Sequence, residues 1–331
     1  MAPTRRHVLR ASIALPLSAL PFTAHAAGGE PDELSLYTSM PTRDVEAVIE
    51  AFGAATGIRV KAWRSGSEQV AQRVIAETRA GRQAFDVVET NAQSLEPMRA
   101  AAAFQPLAPL LGEALRAGVT PAHGAWTGTR MSVFCCAWNT GLVREEEVPG
   151  SYEDLAQPRW ARRIAFESDN HAWFAAMHGA LGELRAARLF DAIAAQGILV
   201  RKGHSLIANL LAAGEIPLSL HVYSYRASQL ERTGTPVRHR LLAPTLANSA
   251  AVAVAAGTRR AAAAVRFVRF LQDEGQALLA GRMHVPALAS AGAPPFPGPL
   301  VPVEAGYGSG DPARVWRQRY QEFLRKGTAA R

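Results

Sequence analysis

The chain has 331 residues, of which 48% are hydrophobic and 19% charged, with 27 glycines and 21 prolines. That is a globular composition long enough for about two domains, and it excludes a disordered, collagen-like or coiled-coil protein. Two cysteines exclude a disulfide framework or a four-cysteine zinc site, and no apolar run reaches the roughly 18 residues of a membrane span. The formal net charge of +8 is local. Arg5, Arg6 and Arg10 hold three of those charges, and Ala313–Arg331, with six basic residues against Glu322 alone, holds the other five. The remainder is neutral. A nucleic-acid partner is therefore not expected, and the terminal excess reads as the solvated face of one helix.

Residues 1–26 carry the parts of a secretory leader: a basic start, the apolar Ala11–Thr23 stretch, and Ala24-His25-Ala26 as a small-x-small cleavage site. The paired Arg5-Arg6 inside Thr4–Arg10 resembles a twin-arginine export address, with an ordinary Sec signal as the alternative. Either predicts a chain cut near Ala26 and, in a bacterium, a periplasmic location. Cys135 and Cys136 fall in the apolar run Met131–Trp138 and are expected as buried strand residues, a vicinal disulfide being the other possibility.

Leu34–Tyr37 reads as a first strand. Val45, Val48, Ile49 and Phe52 then recur at helical spacing up to Gly57, whose lack of a Cβ suits a helix end. Ile58–Trp63 is a second strand, a helix follows with Ser67 as its N-cap and Gly81 as terminator, and Phe85–Glu89 is a third strand. This βαβαβ order predicts a parallel sheet covered by helices. A second block repeats the alternation: strands at Met131–Trp138, Ile164–Phe166 and Ile216–Val222, with helices across about 171–196 and at Ser205–Ala213. Ala250–Ala255 is a further buried strand, followed by one long helix with Val265, Val268, Phe270 and Leu271 toward the core. A proline-rich linker spans Ala293–Pro302, and Trp316, Tyr320, Phe323 and Leu324 give the last helix an apolar face.

No enzyme motif is present: no G-x-S-x-G elbow, no H-E-x-x-H, no phosphate-binding P-loop and no G-x-G-x-x-G after a strand. The nine histidines are scattered, and His171 and His178, seven apart on one expected helix, suit packing or surface better than metal ligation. An enzyme is not expected, although a triad assembled in space would leave no such trace.

Several short segments are more specific in their order and spacing than singly. They are Leu36-Tyr37-Thr38-Ser39, Thr56-Gly57-Ile58, Ser67-Glu68, Phe85–Thr90, Ala137–Thr140, Trp160–Ala165, Ala213–Pro217, Gly234–Val237 and Glu274-Gly275-Gln276. Together, over roughly residues 33 to 325, the chain resembles the periplasmic solute-binding proteins of bacterial ABC importers, of the ferric-iron-binding type. The resemblance implies an α/β, two-lobed type 2 periplasmic-binding fold, each lobe a mixed, mostly parallel sheet flanked by helices, with the ligand cleft between lobes. It divides the chain into a leader (1–26), a first part of lobe 1 (33–130), lobe 2 (131–243), a second part of lobe 1 (244–290), and a linker with the C-terminal helix (291–331). The strands that cross between lobes are expected near Met131–Cys136 and Ala243–Ser249. It also implies a monomer that delivers a metal or small-molecule ligand to ABC permease subunits. A solute-binding input protein for a signalling receptor, and a secreted enzyme on the same scaffold, are the alternatives.

Open α/β sheets bind ligands beyond the carboxyl ends of their strands, where helix N-termini offer unpaired N–H groups. The residues expected there are Thr38, Ser39, Ser65, Ser67, Glu68, Asn91 and Asn170, although the same hydroxyls and amides would serve as plain helix caps. Iron-binding relatives hold Fe(III) with adjacent tyrosines, often helped by a histidine, a carboxylate and a synergistic anion. Here the corresponding segment reads His221-Val222-Tyr223-Ser224-Tyr225-Arg226, so the pair is interrupted. In an extended segment Tyr223 and Tyr225 would share a face, and with Glu68 they are the candidate iron ligands. Arg226 would repel a bare cation and suit an anion. No cofactor is expected: Fe(III) with its anion, or an anionic or polar solute, would be the transported ligand.

Overall fold

In a computed structural model, residues 33–82, 84–107, 115, 120–288, 297, 300–303 and 310–330 are described. The leader and most of the proline-rich linker lie outside them. The first strands are β1 (Glu33–Thr38), β2 (Arg59–Arg64) and β3 (Val87–Asn91), connected by α1 (Thr42–Thr56) and α2 (Ser67–Arg79), with α3 (Ala92–Ala100) after β3. β1 pairs in parallel with both β2 and β3, as right-handed βαβ units require. Gly57 closes α1 with φ +74°, a left-handed turn that a Cβ would strain.

The two lobes are stitched by two long strands. β4 (Thr127–Asn139) and β9 (Thr245–Val254) run antiparallel to each other. Up to Val133, β4 pairs with β9 in the first sheet; from Phe134 it pairs with β7 (Leu218–Tyr223) in the second. The first sheet runs β2-β1-β3-β9-β4, with β10 (Val285–Pro286) on β4 and β11 (Leu300–Pro302) on β9. The second runs β4-β7-β5-β6, where β5 is Ile164–Glu167 and β6 Leu199–Arg201, and β8 (Val237–Arg240) adds to β4. Each sheet is mixed: β1 is parallel to β2 and β3, and β5 to β6 and β7, while β4 and β9 pair antiparallel with each other and with β7 and β3 respectively.

Both faces of each sheet are covered, which is why β4 is buried along its whole length. In lobe 1, α1, α8 (Ala261–Gln272) and α9 (Glu274–Gly281) pack Phe52 against Phe267 and Phe270, while Val70, Val74, Leu95 and Met98 cover the other face. In lobe 2, α4 (His171–Leu181), α5 (Glu183–Ala195) and α10 (Gly310–Ala329) bury Trp173, Phe190, Tyr320 and Phe323 on one face. On its other face, α6 (His204–Ala212) and α7 (Ser224–Arg232) bury Ile207, Leu211 and Ala227.

Three local expectations are corrected. The long helix after β9 is two helices, parted at Asp273, where Gly275 comes so near the Phe270 carbonyl that a Cβ would sit 2.8 Å from it. Phe267 joins the expected Phe270 in the core, while Val265 is only half-buried. Ser67 is the first helical residue of α2, and the N-cap is Gly66. Cys135 and Cys136 are free and buried, and burial pushes the Cys136 thiol up to about 12.

Candidate functional site

A cavity of about 880 Å³ lies where the two sheets meet. Its wall is built largely from chain turns between strand ends and helix starts. Pro41 before α1, Gly66 before α2, Asn91 before α3, Asn170 before α4, Gly203 before α6 and Tyr223 before α7 all line it. Each is the N-cap of its helix, and none makes a side-chain cap hydrogen bond. Six helix starts, each with a partial positive charge, thus border one space without a side-chain cap. Of the residues expected as plain caps, Asn91 and Asn170 do stand at N-cap positions, and neither makes a side-chain cap hydrogen bond. The side chains add to that sign: Arg64, Arg130, Lys202, Arg226, Arg314 and Arg317 line the cavity, against the carboxylates Glu68, Glu167 and Asp169.

Those carboxylates are already engaged. Glu167 accepts from the Asp169 and Gly203 backbone N–H groups at 2.6 and 2.9 Å. Asp169 meets His171 Nδ1 at 3.3 Å and faces Glu68 of lobe 1. Burial and the facing Asp169 push Glu68 above the usual carboxylate range, against the pull of Arg317 and Lys202. Asp169 moves the other way: burial is outweighed by hydrogen bonds from His171 and Glu68.

At the floor, Arg130 of β4 pairs with Glu89 of β3, which also accepts from Thr38 Oγ1 at 2.6 Å. Nearby, Asn248 of β9 donates from Nδ2 to the Tyr223 hydroxyl at 3.0 Å. The Tyr223 and Tyr225 rings stack at 5.9 Å across a strand-to-helix junction. Tyr225 also lies 4.0 Å from the His284 ring, whose Nε2 meets Asp44 at 2.9 Å, and Arg282 pairs with the same carboxylate. Burial pushes Tyr225 up to about 12, with Arg130 opposing, and raises Tyr223 as well. Both phenols are neutral donors at pH 7; ionising Tyr225 from about 12 costs on the order of 7 kcal/mol before any metal contributes.

The structure therefore brings together Ser39, Ser67, Glu68, Asn91, Asn170, Tyr223, Tyr225 and Arg226 around the cavity. Thr38 and Ser65 do not line it; Thr38 is spent on Glu89 and on the Met40 N–H. Glu68 keeps company with Asp169, while the tyrosines keep company with Arg130 and Asn248. No group of three or more His, Cys, Asp or Glu side chains able to hold a metal occurs among the described residues. Nor does any cavity hydroxyl among them hydrogen-bond a histidine.

Arg130, Ser132 and Asn248 on the shared strands, and Arg314 and Arg317 of α10, were not expected in the site. Asn248 carried a signal, as a lone amide inside an apolar strand. Arg130 carried less, standing at the edge of its apolar run while its partner lies 41 residues away.

Residues 83–299 match the family described as bacterial extracellular solute-binding protein, and the chain belongs to that family. Its lobes are those of a type 2 periplasmic-binding fold. Among relatives, it is 26% identical over 220 residues to the Fe(3+)-binding periplasmic protein of Serratia marcescens; the match covers 65% of this chain and 64% of that one. Iron-bound HitA from Pseudomonas aeruginosa superposes with a TM-score of 0.71 at 22% identity, over 89% of this chain and 99% of that one. The substrate-binding protein of an ABC transporter from Agrobacterium tumefaciens gives 0.77 at 16% identity, over 90% and 96%.

Proposed function

We propose that this chain is the exported solute receptor of an ABC importer: it captures a polar solute in the interlobe cavity, closes on it and delivers it to the permease. The observation that carries this reading is the convergence of six uncapped helix starts on one cavity between two lobes. Each helix end contributes only about 0.3–1 kcal/mol when exposed and about 2 when partly buried. Micromolar capture needs about 8 kcal/mol, so direct hydrogen bonds in a closed, water-free cleft must supply much of it. Closure pivots on β4 and β9, the strands shared by the lobes, and gives the permease a shape that signals loading. The protein is read as a carrier and not a catalyst, and as a periplasmic monomer. Thermal unfolding of the mature chain against a panel of small solutes and ferric nitrilotriacetate tests it. A true ligand raises the midpoint progressively with concentration by mass action; silence across the whole panel removes the receptor reading.

Ferric iron as cargo is the second reading, favoured by the stacked Tyr223 and Tyr225 at the cavity floor and by the name of the Serratia relative. Tyr223 and Tyr225 would be its protein ligands, Glu68 standing apart beside Asp169, with Arg130 and Arg226 placed to hold a synergistic anion. Adding ferric nitrilotriacetate would then produce a visible iron–phenolate band that Tyr225→Phe weakens or abolishes.

A further inference from the structure

At its charged and N-cap positions the cavity's unpartnered buried groups are donors, while Asn248 Oδ1 beside Tyr223 is an unpartnered acceptor and His171 Nε2 can take either role; granted the receptor reading above, the donors point to the class of ligand. Arg130 is 4% exposed; Glu89 occupies one terminal nitrogen, and Nε has no acceptor. Asn170, at the start of α4, is 5% exposed, and its Nδ2 has no acceptor either. The Tyr223 hydroxyl accepts from Asn248 and so has its own proton left to give. Of the lining carboxylates, by contrast, Glu167 already accepts from two backbone N–H groups, Asp169 meets His171, and Glu68 accepts from Gln72. A buried donor left without an acceptor is costly and rare in native proteins. What this site lacks is an acceptor with several lone pairs, and a guanidinium edge is the donor best shaped for a carboxylate or phosphate.

The open cleft has room for more than a free inorganic anion. The cavity is about 880 Å³, within the roughly 300–1,000 Å³ usual for organic ligands, while one water claims about 30 Å³. An inorganic anion would leave most of it to solvent.

We propose that the cleft takes an organic oxyanion (a phosphate ester, a phosphonate or a carboxylate) with its anionic group on the Nε edge of Arg130 and the Tyr223 hydroxyl, and its polar body reaching the Asn170 amide. The helix starts complement the anion's charge, and Arg130 sets its orientation. Because Arg130 stands on a strand common to both sheets and Asn170 on lobe 2, one ligand that bridges them favours the closed form.

Calorimetric titration of the full mature chain tests this with glycerol 3-phosphate, glucose 6-phosphate, phosphonoacetate and succinate, beside inorganic phosphate and ferric nitrilotriacetate. At least one organic probe is expected to bind one to one, and inorganic phosphate at least about 100-fold more weakly, for want of the body's contacts. Arg130→Lys keeps a charge opposite Glu89 but loses the fork, and is expected to weaken the organic probe about 30-fold. Asn170→Ala, which removes no existing hydrogen bond, is expected to weaken it about 5-fold with an unchanged melting midpoint, and it decides the matter if the lysine variant does not fold. Equal binding of inorganic phosphate, a preference for the ferric complex over every organic probe, or affinity unchanged in the variants overturns the ligand class while leaving the receptor intact. Failure of every probe, iron included, brings down the receptor reading itself.

Discussion

The floor and the rim of the cleft each bring two charged side chains together, and they do so in opposite physical regimes. At the floor, Arg130 and Glu89 are 5% and 1% exposed at their side chains, and opposite charges are neutralised in a dry setting. At the rim, two groups of the same nominal charge, Glu68 and Asp169, face each other from opposite lobes in reach of solvent, with Arg317 3.9 Å from Asp169. The floor is rigid and specific because breaking a buried pair leaves a stranded charge. The rim is adjustable because water and neighbouring cations can stand in for either partner. A receptor needs both: a seat that does not yield and a lip that opens.

The sharpest way to break the contrast is Arg130→Met. It strands the Glu89 carboxylate and should cost about 3–5 kcal/mol of stability, whereas adding Glu89→Leu should recover much of that loss while leaving ligand capture absent. Denaturant unfolding of the single and double variants reads both. A double variant as unstable as the single one would show that the floor pair does more than neutralise itself.

A smaller effect is expected behind the floor, where Asp44 holds His284 under the Tyr225 ring. Burial raises the Asp44 carboxyl, but hydrogen bonds from His284 and Arg282 outweigh it and hold the group below its usual 3.8. A lowered folded-state value means the contribution is complete above 3.8 and drains away as pH falls through the lower one. Asp44→Asn should therefore cost about 2 kcal/mol between pH 5 and 8, with a gap from wild type that narrows below pH 4. Thermal melts across that range show it, and a gap independent of pH would remove Asp44 from the account.

Least of all should come from the rim. Glu68 has a raised folded-state value, so its contribution is complete below its usual 4.5 and is lost as pH climbs through the higher one. Glu68→Gln supplies a permanent donor to Asp169. It should match wild type in acid and exceed it slightly above that window, by no more than about 0.5 kcal/mol. A larger change at neutral pH would mean the rim is as stiff as the floor.

The same contrast explains what could be read from the sequence. Local rules found the βαβαβ opening, the Gly57 helix end and the apolar face of α10, because each depends on neighbours within a few positions. They also found the strand-to-helix turns that became the cavity wall. They missed the break at Asp273, where a close approach to the Phe270 carbonyl, and not a proline, divides the helix. They missed Arg130, whose role is set by a carboxylate on another strand, and Arg314 and Arg317, which the charge pattern made look merely solvated. Tyr223 and Tyr225 were found for a different reason: a resemblance supplied them, and a strand-to-helix junction stacks them.

Cys135 and Cys136 carry a practical consequence of the shared strand. Cys135 pairs with Val222 and Cys136 with Arg240, just past the point where β4 changes sheets. Neither sulfur can meet an alkylating reagent unless that ladder parts. Their labelling rate is thus a built-in clock for unzipping at the pivot, readable by mass spectrometry without introducing any dye or mutation.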